Sequence, residues 1–264
     1  MRSVAEQSTD ELGGRMSVLA RQKSDHVVLN GLLEELQGSS GSAQQHALLR
    51  IYRLVFPHAF AEESVLWPVI RRALPEGDEL TLEVEREHQE VNELVTTLET
   101  LPVGDARRVP VLDRLVEVLR EDVRDEEDEL FPRLQTRVGR RQLQLLGVAW
   151  EVVRRIAPTR AHPVVARRPP GNVVAALPLT AVDRLRDAVD ARRLRGGAAP
   201  RPALDWVSRG LTRTAHAIEH LPLLGRGEDP STRRGDRAAG FPWGTAAGAA
   251  ALVLAVVALL RRRR

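Results

Sequence analysis

Apolar residues recur at alternating steps of three and four along four stretches, roughly 16–37, 43–73, 78–101 and 108–137. That is the period of a helix with one buried face. The breaks between them are Gly38-Ser39-Ser40-Gly41-Ser42, Pro75-Glu76-Gly77 and Pro102-Val103-Gly104, compositions that end helices and turn the chain. Loops this short make successive helices antiparallel neighbours. The pattern therefore predicts an all-α fold with an up-down four-helix bundle over residues 16–137. Residues 1–15 are polar and are expected to form a loose, flexible N-terminus.

Beyond the bundle the pattern changes. A fifth amphipathic stretch at 139–156 ends at Pro158, and Pro163, Pro169, Pro170 and Gly171 follow, too much proline for a helix. Helical periodicity returns near 180–195 and 203–220, so residues 138–224 read as a helical and Pro-rich extension. Residues 225–240 read as a Gly/Arg-rich linker. Phe241 to Leu260 contains no charged residue, and Arg261 to Arg264 close the chain as a basic tail. A buried core helix is one reading of 241–260. Its length and its basic stop favour the other, a single-pass C-terminal membrane anchor with Pro242 and Trp243 at the interface. No apolar run stands near Met1, so the bundle is expected on the cytoplasmic side of the cell membrane.

Charge separates the same regions. The net charge is +3, yet residues 1–137 hold 16 Lys+Arg against 27 Asp+Glu, and residues 138–264 hold 23 against 9. The arginines of the basic half are scattered among few aromatics and form no nucleic-acid motif, so nucleic acid is not an expected partner. Solvation or contact with anionic lipid accounts for them. The chain has no cysteine, which removes disulfides, thiolate metal sites and iron–sulfur clusters. A metal held here is held by histidine and carboxylate, a donor set suited to iron, manganese or zinc.

The most informative feature is an internal repeat. Asp25-His26-x-x-Leu29-Asn30-x-Leu32-Leu33-x-x-Leu36 recurs as Glu87-His88-x-x-Val91-Asn92-x-Leu94-Val95-x-x-Leu98. His58-x-x-x-Glu62-Glu63-x-x-Leu66-Trp67-Pro68 recurs as Asp122-x-x-x-Glu126-Glu127-x-x-Leu130-Phe131-Pro132. The offsets are nearly equal, so the second pair of helices copies the first. His58 and Glu62 lie on the inward stripe with Leu48, Ile51 and Val55, and Asp122 and Glu126 on that with Leu112, Leu115 and Leu119. His26 and His88 fall on the apolar lines of their own helices.

Six ionisable side chains thus occupy core positions. Burying one unpaired costs several kcal/mol, and six would exceed the about 5–15 kcal/mol by which a whole domain is stable. Hydrogen-bonded ion pairs would neutralise them. So would two divalent cations, which match three histidines and three carboxylates in charge and donor type. An i,i+4 pair shares a helix face, and Glu62 and Glu126 are the natural bridges between two ions. Glu63 and Glu127, one residue on, turn away from the stripe and read as solvated or as supports for the ligands. Trp67 and Phe131 read as packing at the bundle end.

The pattern H…HxxxE…H…HxxxE on four helices resembles the hemerythrin HHE cation-binding family. The resemblance implies a four-helix bundle around a non-haem di-iron centre, with His26, His58, Glu62, His88 and Glu126 at ligand positions. Asp122 stands where the pattern has its fourth histidine. A more carboxylate-rich site would favour the ferric state, and so redox or peroxide chemistry over reversible oxygen carriage. The implied partner is a small oxidant such as oxygen, nitric oxide or peroxide. An iron or redox sensor tethered to the membrane and a metal-free structural bundle are the alternatives. Arg154-Arg155-x-Ala157-Pro158-Thr159-Arg160-x-His162-Pro163, with Arg167-Arg168-Pro169-Pro170-Gly171-Asn172, resembles C-terminal extensions of bacterial members of that family. His216-Ala217-Ile218-Glu219-His220 spells HxxEH but lacks the surrounding domain of a zinc peptidase. Oligomeric state leaves no readable signature.

Overall fold

The computed structural model describes residues 1–195 and 202–233, and every regular element among them is helical. Nine α-helices follow in chain order: α1 (Val18–Gln37), α2 (Gly41–Ala61), α3 (Trp67–Ala73), α4 (Gly77–Thr100), α5 (Arg108–Asp125), α6 (Phe131–Arg137), α7 (Arg140–Arg155), α8 (Gly171–Arg195) and α9 (Pro202–Glu219). The residues divide into two compact units, Met1–Ala157 and the part that starts at Pro158.

The first unit contains the predicted bundle. Its second and fourth rods are each two α-helices joined by one π-helical turn, Glu62–Leu66 between α2 and α3 and Glu126–Leu130 between α5 and α6. Local chemistry sets the ends. Ser17 caps α1 by accepting from the Leu19 amide, which satisfies one of the orphan donors of a helix start. The buried Arg108 guanidinium donates to the carbonyls of Leu98 (2.7 Å) and Leu101 (3.0 Å) at the end of α4. Helix α1 packs on α2 and α4 on α5, and the inward stripes bury Leu33, Leu48, Ile51, Val95, Leu115 and Leu119 almost completely.

Two sequence expectations need correction here. Residues 1–15 are not loose: Val4 and Leu12 are fully buried, and the Lys23 ammonium donates to the carbonyls of Ala5 and Gln7. Two apolar side chains in a polar segment are enough to seat it. Helix α7, read as the start of the extension, belongs to the first unit and packs on α1 and α2. It buries Leu143, Gly147 and Trp150. A Cβ on Gly147 would lie 2.1 Å from the Met16 carbonyl oxygen, so only glycine permits this backbone crossing.

In the second unit α8 and α9 form a hairpin around Leu179, Val182, Val207 and Leu211. Helix α8 begins at Gly171 rather than near 180 and runs through Pro178, because packing outweighs the one lost hydrogen bond. The proline-rich segment before it is held by polar groups. Asp183 accepts from the amides of Thr159 (2.9 Å) and Arg160 (3.0 Å), and Glu228 accepts from the Arg167 amide. Glu228 and Thr232 are buried, so this part of the expected linker packs. Among the described residues no helix is long and apolar enough to cross a membrane. The predicted anchor at 241–260 and the tail at 261–264 lie outside the described residues.

Candidate metal centre

The six core-facing ionisable residues converge in the first unit. Helix α1 supplies His26, α2 supplies His58, α4 supplies His88 and α5 supplies Asp122, while Glu62 and Glu126 open the two π-turns. Donor atoms of His26, His58 and Glu126 all lie within 4.8 Å of one another, and so do those of Glu62, His88 and Glu126. The two groups share Glu126. Glu62 also touches the first group through His58 Nε2, 3.0 Å from its Oε1. Asp122 belongs to neither group, although its Oδ1 lies 3.4 Å from His88 Nε2.

Each histidine presents Nε2 to the cluster and gives Nδ1 to another carboxylate. His26 Nδ1 meets Glu127 at 2.9 Å, His88 Nδ1 meets Glu63 at 3.0 Å, and His58 Nδ1 meets Asp25 at 3.2 Å. Such outer partners fix the ring tautomer and orientation of a metal-binding histidine. Glu63 and Glu127 are therefore not solvated; they are 2% and 9% exposed. The π-turns explain this. On a straight α-helix, neighbouring residues point about 100° apart. Within the wider turn Glu62 and Glu63 are both buried, as are Glu126 and Glu127. The Trp67 and Phe131 amides donate five residues back, to the carbonyls of Glu62 and Glu126. Pro68 and Pro132 come next. Each lacks an amide hydrogen and would press its ring on the carbonyl four residues earlier in a regular α-turn, so widening the turn relieves the clash. The Trp-Pro and Phe-Pro pairs were the sequence signal. Trp67 stacks near His88 and Phe131 near His26, with centroids 6.3 Å and 6.4 Å apart.

The cluster is built to hold positive charge. Burial alone would push the His26 ring towards neutrality, but Glu126 and Glu127 outweigh it and raise its pKa to about 9. Burial opposes protonation of His58 too, yet Glu62 and Asp25 raise it to about 10. Burial, then the charges of Glu62 and Asp122, push Glu126 up to about 8. Protons occupy such a site when nothing stronger does, and metal binding releases them. Several buried oxygens make no hydrogen bond: Glu62 Oε2, Asp122 Oδ1 and both oxygens of Glu126. Glu126 Oε2 lies 3.2 Å from His26 Nε2. Orphaned, buried acceptors are costly, and divalent cations would satisfy them. The residues present fit a metal pair.

A small, partly open cavity of about 20 Å³ adjoins the cluster, lined by His26, His58, His88 and Asp122 and by Leu29, Leu54, Val55 and Leu119. Elsewhere, the His216 and His220 rings lie 4.1 Å apart, tilted by 54°, with His220 Nδ1 donating to the His216 carbonyl, while Glu219 faces His162. The HxxEH run forms no metal-binding group among the described residues.

The fold and the site define a helical bundle whose core is a histidine- and carboxylate-lined metal centre. Residues 17–134 match the Hemerythrin HHE cation binding domain. A hemerythrin-like protein of Schizosaccharomyces pombe is 28% identical over 134 residues, half of this chain and 66% of that one. A protein named DNA nickase from Nostoc sp. is 29% identical over 123 residues, 46% of this chain and 34% of its own length. The chain spans less than two thirds of the length of these curated relatives. No solved structure matches it.

Proposed function

We propose that the bundle is a non-haem di-iron protein that binds or reduces a small oxidant such as oxygen, nitric oxide or peroxide. The observation that carries this reading is the pair of three-donor groups joined at Glu126 beside a small cavity. His26, His58 and Glu126 would hold one ion and Glu62, His88 and Glu126 the other. Bound iron supplies electron transfer and a position for a small ligand. Glu63, Glu127 and Asp25 hold the histidine rings in place. Leu29 and Leu119 are the buried apolar walls, and a cavity of about 20 Å³ admits a molecule about the size of water. Manganese or zinc suits the same donors. After anaerobic reconstitution the full chain is expected to carry two irons and to absorb in the visible when oxidised. Less than one iron per chain rejects the pair.

A sensor reading has one specific support. Asp25 Oδ2 accepts from His58 and also from Arg154 of α7, at 3.1 Å, so a ligand is wired to a helix outside the four-rod bundle. Turnover of peroxide or nitric oxide by the iron-loaded chain separates enzyme from sensor. We also propose that residues 241–260 anchor the chain in the cell membrane with the bundle on the cytoplasmic side. The support is their uncharged length and basic stop. Ending the chain at Gly240 is expected to abolish membrane pelleting; continued pelleting rejects 241–260 as the sole tether.

A further inference from the structure

A second, larger cavity of about 360 Å³ opens between α1 and α5, within the size range of small-molecule sites. His26, Leu29, Leu119 and Val123 line both this vestibule and the small cavity beside the metal ligands. One layer of side chains therefore separates the two. The seated N-terminal segment contributes Ala5 to the vestibule wall. The floor is apolar, with Leu33 beside Leu29 and Leu119. The rim is cationic: Lys23, Arg120 and Arg124. Lys23 spends two of its three donors on the Ala5 and Gln7 carbonyls, Arg120 donates to Gln37, and Arg124 is exposed. The sole acid in the lining, Glu127, is engaged by His26.

We infer that this vestibule binds a small organic anion with an apolar body. A path for a neutral gas needs neither this volume nor three cations. A cation is repelled by the rim, and inorganic phosphate has no use for the floor. An aliphatic or aromatic carboxylate satisfies both, with its charge at Arg124 and Lys23 and its body on Leu29, Leu33 and Leu119. The occupant rests one contact from the metal ligands, since Glu127 lines the site and orients His26.

The test is calorimetric titration of the full chain with decanoate, with decanol and decylamine as controls, in iron-free and iron-loaded protein. Decanoate is expected to bind at least about tenfold more tightly than either control. Arg124→Glu, a surface change, is expected to weaken decanoate about tenfold with the circular dichroism unchanged. Val123→Trp is expected to weaken it similarly by filling the cavity. Equal binding of decanol and decanoate, or equal decanoate binding by wild type and Arg124→Glu, overturns the inference. Because both metal states are titrated, loss of the di-iron reading leaves this result standing, and the reverse also holds.

Discussion

Asp122 sits at a broken symmetry. In the first half of the repeat Asp25 accepts from His58. In the second half its counterpart Glu87 faces Asp122, and burial together with the charges of Asp122 and Asp125 raises its pKa to about 9. A histidine at 122 would give Glu87 a donor and the site a neutral ligand. Asp122→His is therefore expected to raise iron affinity, while Asp122→Ala keeps iron because Asp122 lies outside both three-donor groups. Complete loss of iron from the alanine variant would make Asp122 an indispensable ligand. Glu126 is the opposite case, common to both groups. Glu126→Ala is expected to lose both ions and His26→Ala one of them, read as iron per chain. Equal stoichiometry in the two variants rejects Glu126 as the shared donor. The six inward groups were legible because helical periodicity assigns a face to each. Glu63 and Glu127 were legible only as either solvated or supporting the ligands, and Asp25 was not assigned, because a ring partner depends on which nitrogen faces which helix.

Helix positions were largely readable from apolar spacing and Gly/Pro breaks, and α1 to α6 fall close to the predicted stretches. The π-turns were not, because a single extra residue per turn hardly disturbs the apolar stripe. Its trace is only a proline after an aromatic residue. Nor does periodicity say where an amphipathic helix docks, so α7 was assigned to the extension. Its docking brings Trp150 edge-on to His58, with centroids 5.3 Å apart, and Arg154 over the Trp150 ring at 4.9 Å. Glu151 steadies Arg154 and also meets Arg21 of α1. Arg154 is thus a positioning residue for His58 through Asp25. Outer partners of metal-bound histidines typically carry 10–100-fold in affinity, so Arg154→Ala is expected to weaken iron binding about tenfold. Arg154→Lys should recover part of it. Chelator competition reads both, and unchanged affinity in the alanine variant would show that α7 only packs.

At the scale of the whole chain, two units solve the burial of charge differently. The first gathers carboxylates beyond its own cations and leaves oxygens orphaned, which is what a metal centre requires. The second pairs its buried histidine and arginine with acids, although Asp183 Oδ1 makes no hydrogen bond. His162 lies between Asp183 of α8 at 3.0 Å and Glu219 of α9 at 3.4 Å, and Arg160 bridges Asp187 and Asp190. Burial disfavours the His162 cation, but Asp183 and Glu219 prevail and raise its pKa from 6.5 to about 9. A ring that binds its proton more tightly when folded stabilises the fold fully below its unfolded pKa, and that contribution fades as pH rises through the folded value. The second unit should lose on the order of 2 kcal/mol between about pH 6.5 and pH 9 through this group. His162→Gln removes the titration, so the variant is less stable than the parent at low pH and the gap narrows as pH rises. Thermal unfolding of both iron-loaded chains across that window measures the gap, and a gap independent of pH would show that His162 is not the group titrating.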